Sequence, residues 1–382
     1  MPTPRNETRG AAASREWRGV LSHIATGVAL AGVCACASGP APKPQLRLTW
    51  PPPPDAARIE HVSLIRHPFD VVGPPGFWTR FGGFLGLETG FSRDWRPIVQ
   101  PMDVETSADG EVVYVADFAS GVVHVFDFAH QEVRYIGEKE QLARPAGLAV
   151  DAQQRVWIVE QQKRQIRIVN AAGATLRMIR SDKLRRPLDI ELDEARGLFY
   201  VSDPAYQRSK DHYVHRFSIE GEHLGLIGDG RGTAEGQLLF PTYLAVGKDG
   251  SLYVSDTMNA RVSKFDASGR FERTIGARGD GFGLFDKPKG IDLDSFGNLY
   301  VADSSWSNVQ VFGPLGDVLI FFGGRGGHPG QLRNPTGLTI HRPTNRIYVG
   351  DYLNRRVGRY RLINTQMGDG VPSRDDSTSK DP

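Results

Sequence analysis

Six prolines, Pro101, Pro145, Pro187, Pro241, Pro288 and Pro335, each open a short strand-like run, and carboxylates recur at fixed offsets behind them. Two places on stand Asp103, Gly147, Asp189, Tyr243, Gly290 and Gly337. Four places on stand Glu105, Ala149, Glu191, Ala245, Asp292 and Thr339. Acids therefore occupy the first, third and fifth runs, and small or neutral residues plus Tyr243 occupy the others. Alternation along a strand puts both offsets on one face. If the six strands converge, Asp103, Glu105, Asp189, Glu191 and Asp292 repel unless they are protonated, paired or bridged by a cation. Carboxylate oxygens are hard ligands and select calcium or magnesium. The competing expectation is architectural, because acids so placed also bond backbone amides or channel water.

No other constellation carries chemistry as well. The ten histidines show no metal-ligand spacing, and no Ser-His-Asp set stands out. His124 and His215 fall two places before Phe126 and Phe217, where the other runs carry Arg167, Ser263, Gln310 and Gly358. That position reads as the polar, outward face of a strand. The glycine-rich runs "GDGRG", "GARGDGFG" and "GGRGGHPG" lack the following helix that a phosphate cradle needs, so they read as connections.

The elements that must position the acids come from a repeat. "YVAD", "YVSD", "YVSD", "YVAD" and "YVGD" end at Asp117, Asp203, Asp256, Asp303 and Asp351, with a degenerate "WIVE" ending at Glu160. Successive acids lie 43, 43, 53, 47 and 48 residues apart. Each copy runs proline, strand, Gly/Asn/Asp turn, tetrad strand, a third strand and a fourth. Four short strands per repeat predict an all-β, six-bladed propeller of four-stranded antiparallel blades. The tetrad acid reads as a turn device whose carboxylate accepts backbone N–H groups in the following loop. The sixth copy supplies three strands, and "RIEHVSLIR" at 58–66 is expected to add the fourth and close the ring.

Within this pattern, 266–312 resembles an NHL repeat, and "TMNARV" and "YLNRRV" match that family's step into the third strand. The resemblance covers about two-thirds of the chain and implies a six-bladed propeller. The fold hosts adhesives, receptors, scaffolds and enzymes, so the resemblance leaves function open. The inner-strand acids resemble those of six-bladed lactonases and phosphotriesterases, which implies calcium in a central channel. The related propeller lyases use zinc held by three histidines at inner-strand positions; only His341 stands near such a position here.

The chain of 382 residues has a formal net charge of +2, too near neutral to argue for nucleic acid. Both cysteines, Cys34 and Cys36, precede the repeats, which leaves the body without disulfides. Four arginines and then the apolar stretch 20–35 give a basic and a hydrophobic region, and "VCAC" resembles a bacterial lipobox ending at Cys36. Residues 1–36 are accordingly expected to export the body and to lipidate Cys36, placing it at the outer membrane or in the periplasm. Residues 37–57 read as a proline-rich spacer, 58–363 as the propeller and 364–382 as a disordered tail. The glycine- and aromatic-rich part of 68–97 is expected to cover one end of the ring.

Two surface features suggest a partner. Residues 161–186 hold eight bases (Lys163, Arg164, Arg167, Arg177, Arg180, Lys183, Arg185, Arg186) and one acid, Asp182. The third repeat alone carries an insertion between its second and third strands, with Tyr206, Arg208, Lys210 and His212. That loop lies on the same face as the connections between blades, and insertions on one face of an array mark a binding face. The sequence thus favours an exported, lipid-anchored binding or scaffolding propeller of the cell envelope with a protein, peptide or glycan partner. The alternative is a divalent-metal-dependent hydrolase or lyase with its ion in the channel.

Overall fold

The computed structural model describes residues 47–52, 54–74, 95–206 and 208–363. The export signal with Cys36, most of the glycine- and aromatic-rich segment and the tail from Asn364 lie outside the described residues. From Leu48 onward the chain forms a six-bladed β-propeller.

Each blade follows the repeat. In blade one the strands are Pro101–Thr106, Val112–Asp117, Val122–Asp127 and Glu132–Ile136, paired antiparallel in order from the axis outward. Blades two to five begin on inner strands Pro145–Val150, Ile190–Asp193, Pro241–Val246 and Pro288–Leu293 and repeat the meander. Blade six takes three strands from the C-terminal end, Pro335–His341, Arg346–Asp351 and Arg356–Leu362. Its fourth, Ile59–Ile65, comes from upstream of blade one, with Ile59 opposite Leu362 and Ile65 opposite Val357. Ring closure by an N-terminal strand is therefore as the sequence predicts. The end of the expected spacer also joins the ring: Thr49–Trp50 adds a fifth strand beside Glu60 and Ile59.

Face-to-face packing explains why the strands read as near-continuous apolar runs, since both faces of a blade are covered. Six core clusters result, one per junction between neighbouring blades. The tetrad aromatics Tyr114, Trp157, Tyr200, Tyr253, Tyr300 and Tyr348 are all buried. The closing junction sets Ile65, Tyr348 and Val357 of blade six against Val104, Val115 and Phe126 of blade one. A short helix, Phe69–Val72, adds Val71 there, beside the rim of blade one.

This packing corrects the reading of His124 and His215 as surface residues. Both are buried, because third strands are covered on both faces. His124 Nε2 lies 3.2 Å from Asp117 Oδ2, and His215 Nδ1 lies 3.1 Å from His223 Nε2.

Candidate functional site

The tetrad acids hold the ring's geometry more broadly than turn chemistry predicts. Asp117 accepts the N–H of Ser120 in the following loop, and also those of Val99 and Gln100 just before the proline of its own blade. Asp203 does the same for Arg185 and Arg186, and Asp303 for Asp286 and Lys287. Each acid so placed pins the incoming inner strand. Six such groups at the six tetrad positions serve architecture.

The inner-strand acids do converge on the axis, and their hydrogen bonds follow the alternation read in the sequence. Asp103 Oδ2 accepts Leu148 N–H of blade two at 2.8 Å, Asp189 Oδ2 accepts Leu244 N–H of blade four at 2.8 Å, and Asp292 Oδ2 accepts Ile340 N–H of blade six at 2.7 Å. Each odd-numbered blade thereby grips its even-numbered successor. At the intervening junctions, six to one and two to three, first-offset glycines permit close packing: a Cβ on Gly337 would stand 2.6 Å from Asp103 Cα, and one on Gly147 2.5 Å from Asp189 Cα. At the same level Tyr243 reaches from blade four to blade one, on the far side of the ring, and its hydroxyl donates to Met102 O at 2.6 Å. This side chain obstructs the throat.

Beyond the throat, toward the turns between first and second strands, lies a cavity of about 270 Å³ lined by Glu105, Glu191, Asp292, Thr339, His341 and Arg342, among others. Glu105 Oε1 accepts Thr106 N–H at 2.8 Å and the Thr339 hydroxyl at 2.9 Å. Burial, with the nearby Asp292 charge second, pushes the Glu105 carboxyl up to about 8. Burial likewise pushes Asp103 up to about 7 and holds Asp189 and Glu191 well above the usual carboxylate range.

The cation in this cluster comes from the chain. Arg342, in the turn after the inner strand of blade six, donates to Asp292 Oδ1 at 3.2 Å, to Leu293 O at 3.1 Å and to Val246 O at 3.1 Å. It thereby ties blade six to blades four and five. The Asp292 charge raises the guanidinium further. Among the described residues no group of three histidine, cysteine, aspartate or glutamate side chains is placed to hold a metal ion. The acids therefore fit calcium or magnesium poorly. His341 is no ligand either: Nδ1 lies 2.7 Å from Thr344 Oγ1 and Nε2 3.0 Å from Ala108 O.

The second candidate lies at the opposite end of the ring. Lys163, Arg164, Arg185, Arg208 and Lys210 are exposed, and Tyr206 is 57% exposed. Arg164 Nη2 stands 3.4 Å from Tyr206 Oη, so the basic sector of blade two and the insertion of blade three form one surface. Two expected members do not belong to it. Arg167 is buried, with Nε on Glu160 Oε1 at 2.6 Å and Nη1 on Glu140 Oε2 at 2.8 Å. His212 is buried too, its Nδ1 accepting Phe240 N–H at 3.0 Å. Arg186 is half-buried and lies over the Phe240 ring.

No family model matches the chain, and no curated protein is similar to it in sequence. Solved structures share the fold. A Bacteroides thetaiotaomicron protein of unknown function aligns at 16% identity over 70% of each chain with a TM-score of 0.55. A gluconolactonase from Xanthomonas campestris aligns at 21% identity over 70% of this chain and 88% of that one, with a TM-score of 0.53. A virginiamycin B lyase from Staphylococcus aureus, crystallised as an inactive variant with quinupristin, aligns at 13% identity, 69% and 95% coverage and a TM-score of 0.51. At these identities the likeness is one of fold.

Proposed function

We propose that this chain is an exported, NHL-type binding propeller, held at the envelope membrane by a lipid on Cys36, that docks an acidic partner on the face carrying Tyr206. The observation that carries the reading is the Arg164–Tyr206 contact, which joins the basic sector to the one inserted loop. The exposed bases Lys163, Arg164, Arg185, Arg208 and Lys210 give that face a positive field, and an exposed tyrosine beside them supplies a rigid amphipathic anchor. An acidic protein segment suits it first, an acidic peptide or glycan next. Outer membrane or periplasm is the compartment that the N-terminal segment favours. The test is binding of a fluorescent polyglutamate probe to the full chain across a salt series. Affinity is expected to fall as salt rises and to be lost in Lys163→Glu/Arg164→Glu/Arg208→Glu, while Lys287→Glu leaves it unchanged. Equal binding by both variants would remove the reading.

A second reading keeps the chemistry in the channel, favoured by the cavity beside Glu105 and Glu191 and by the raised protonation of both. In that reading Glu105, Glu191 and Asp292 would hold a divalent ion, and the protein would be a hydrolase or lyase. The poor fit of the acids to a metal counts against it. Calcium titration followed by calorimetry decides: one equivalent bound, and lost in Glu191→Gln, would support this second reading.

A further inference from the structure

Among the four-stranded blades two outermost strands carry no formal charge, His223–Ile227 of blade three and that of blade five, and only the latter exposes a phenylalanine. The blade-five strand, Val318–Gly323, reads "VLIFFG". The corresponding strands of blades one, two and four carry Glu132 and Arg134, Arg177 and Arg180, and Glu272 and Arg273, the usual guards of an exposed edge. Val318, Leu319 and Phe321 are exposed on this strand. Leu315, in the turn leading into it, is 85% exposed, and Phe282, whose ring lies 5.0 Å from Phe321, is 71% exposed. Trp306 extends the stripe, its indole N–H on Gly279 O at 3.0 Å, and Phe296 and Leu319 line one apolar groove at the seam with blade six. The result is an aromatic-rich stripe running along the rim from one face of the ring to the other.

The chain itself indicates what covers the stripe. It enters the ring at Leu48 and Trp50, and a Cβ on Gly330, between blades five and six, would meet both side chains. The Trp50 ring lies 5.9 Å from Phe322, the neighbour of Phe321 in the stripe strand. Leu48 lies only twelve positions after Cys36, a reach of roughly 40 Å when fully extended. A membrane that holds a lipid on Cys36 therefore lies within that reach of Leu48. Aromatic side chains suit the headgroup boundary.

We propose that the blade-five rim is a lipid-docking edge: Phe282, Leu315, Leu319, Phe321 and Trp306 insert into the membrane interface and stand the ring on its side. The proposal rests on the membrane-held N terminus proposed above. It presents both the Tyr206 face and the acidic cavity sideways to the membrane.

The test uses the full chain in phosphatidylethanolamine–phosphatidylglycerol vesicles containing acyl-brominated lipid. A fluorescent non-natural residue is placed in turn at Leu315, at Phe321 and at Leu176, which is exposed on blade two across the ring. Labels at 315 and 321 are expected to shift to the blue and to be quenched several-fold more than the label at 176. Phe282→Asp/Phe321→Asp, changed at exposed positions, is expected to abolish quenching at 315 without altering the melting temperature. Equal quenching at all three positions in protein that floats with the vesicles would overturn rim docking and leave the anchor standing. Failure to float would remove the anchor and the docking with it. Self-quenching that grows with protein density and ignores bromine would assign the edge to a second copy instead.

Discussion

Glu105→Gln tests the chemistry of the channel directly. The Glu105 carboxyl is raised from 4.5 to about 8, chiefly by burial. Its unfolded counterpart ionises near the ordinary value, so between pH 4.5 and 8 the unfolded chain releases a proton that the folded chain keeps. Stability contributed at this site therefore falls as pH rises through that window and is level above it. That rise sets an upper limit of about 5 kcal/mol on the effect. Glutamine keeps an acceptor for the Thr106 N–H and the Thr339 hydroxyl and carries no titratable proton. The variant is expected to match the parent near pH 4 and to exceed it by at least about 2 kcal/mol at pH 9, read as the difference between urea unfolding curves at pH 4, 6 and 9. A difference that stays flat with pH, or a variant less stable at pH 9, would refute the argument. A loss that appears only with calcium present would show that the carboxylate serves a metal.

Three further outcomes follow from the same geometry. Arg342→Gln takes the guanidinium from Asp292, Leu293 O and Val246 O; unfolding should shift by about 2 kcal/mol, more at pH 9 than at pH 5 because the acids then carry charge. Tyr243→Phe deletes the donor to Met102 O and should lower stability by about 1–2 kcal/mol with unchanged circular dichroism. Gly337→Ala places a methyl group against Asp103 and should cost about 3 kcal/mol or prevent ring closure, as read by melting or by yield of folded protein.

Much of this molecule is legible from spacing. The prolines, tetrads and turn residues specify six blades, and the polar end of the chain after blade six, with an alternating strand before blade one, specifies the closure. The inner-strand offsets likewise place Asp103, Glu105, Asp189, Glu191 and Asp292 around one axis. Their partners are not legible. Arg342 lies in a turn outside the repeated offsets, and only the closed ring brings it to Asp292 of the neighbouring blade. Arg167 reads as surface charge because Glu140, one of its partners, lies 27 residues away in the connection between blades one and two. His124 and His215 read as a polar face because strand alternation implies one wet side, whereas propeller blades are covered on both. The insertion is visible in its length, but its contact with Arg164 depends on how blades two and three meet.

The central claim is that the loop face binds and the acidic cavity serves the ring. A photo-crosslinking residue placed at Tyr206, and separately at Pro343 at the cavity mouth, tests it in intact envelopes. The account predicts a discrete protein adduct at 206, lost in Lys163→Glu/Arg164→Glu, and none at 343. An adduct at 343 with none at 206 would contradict it.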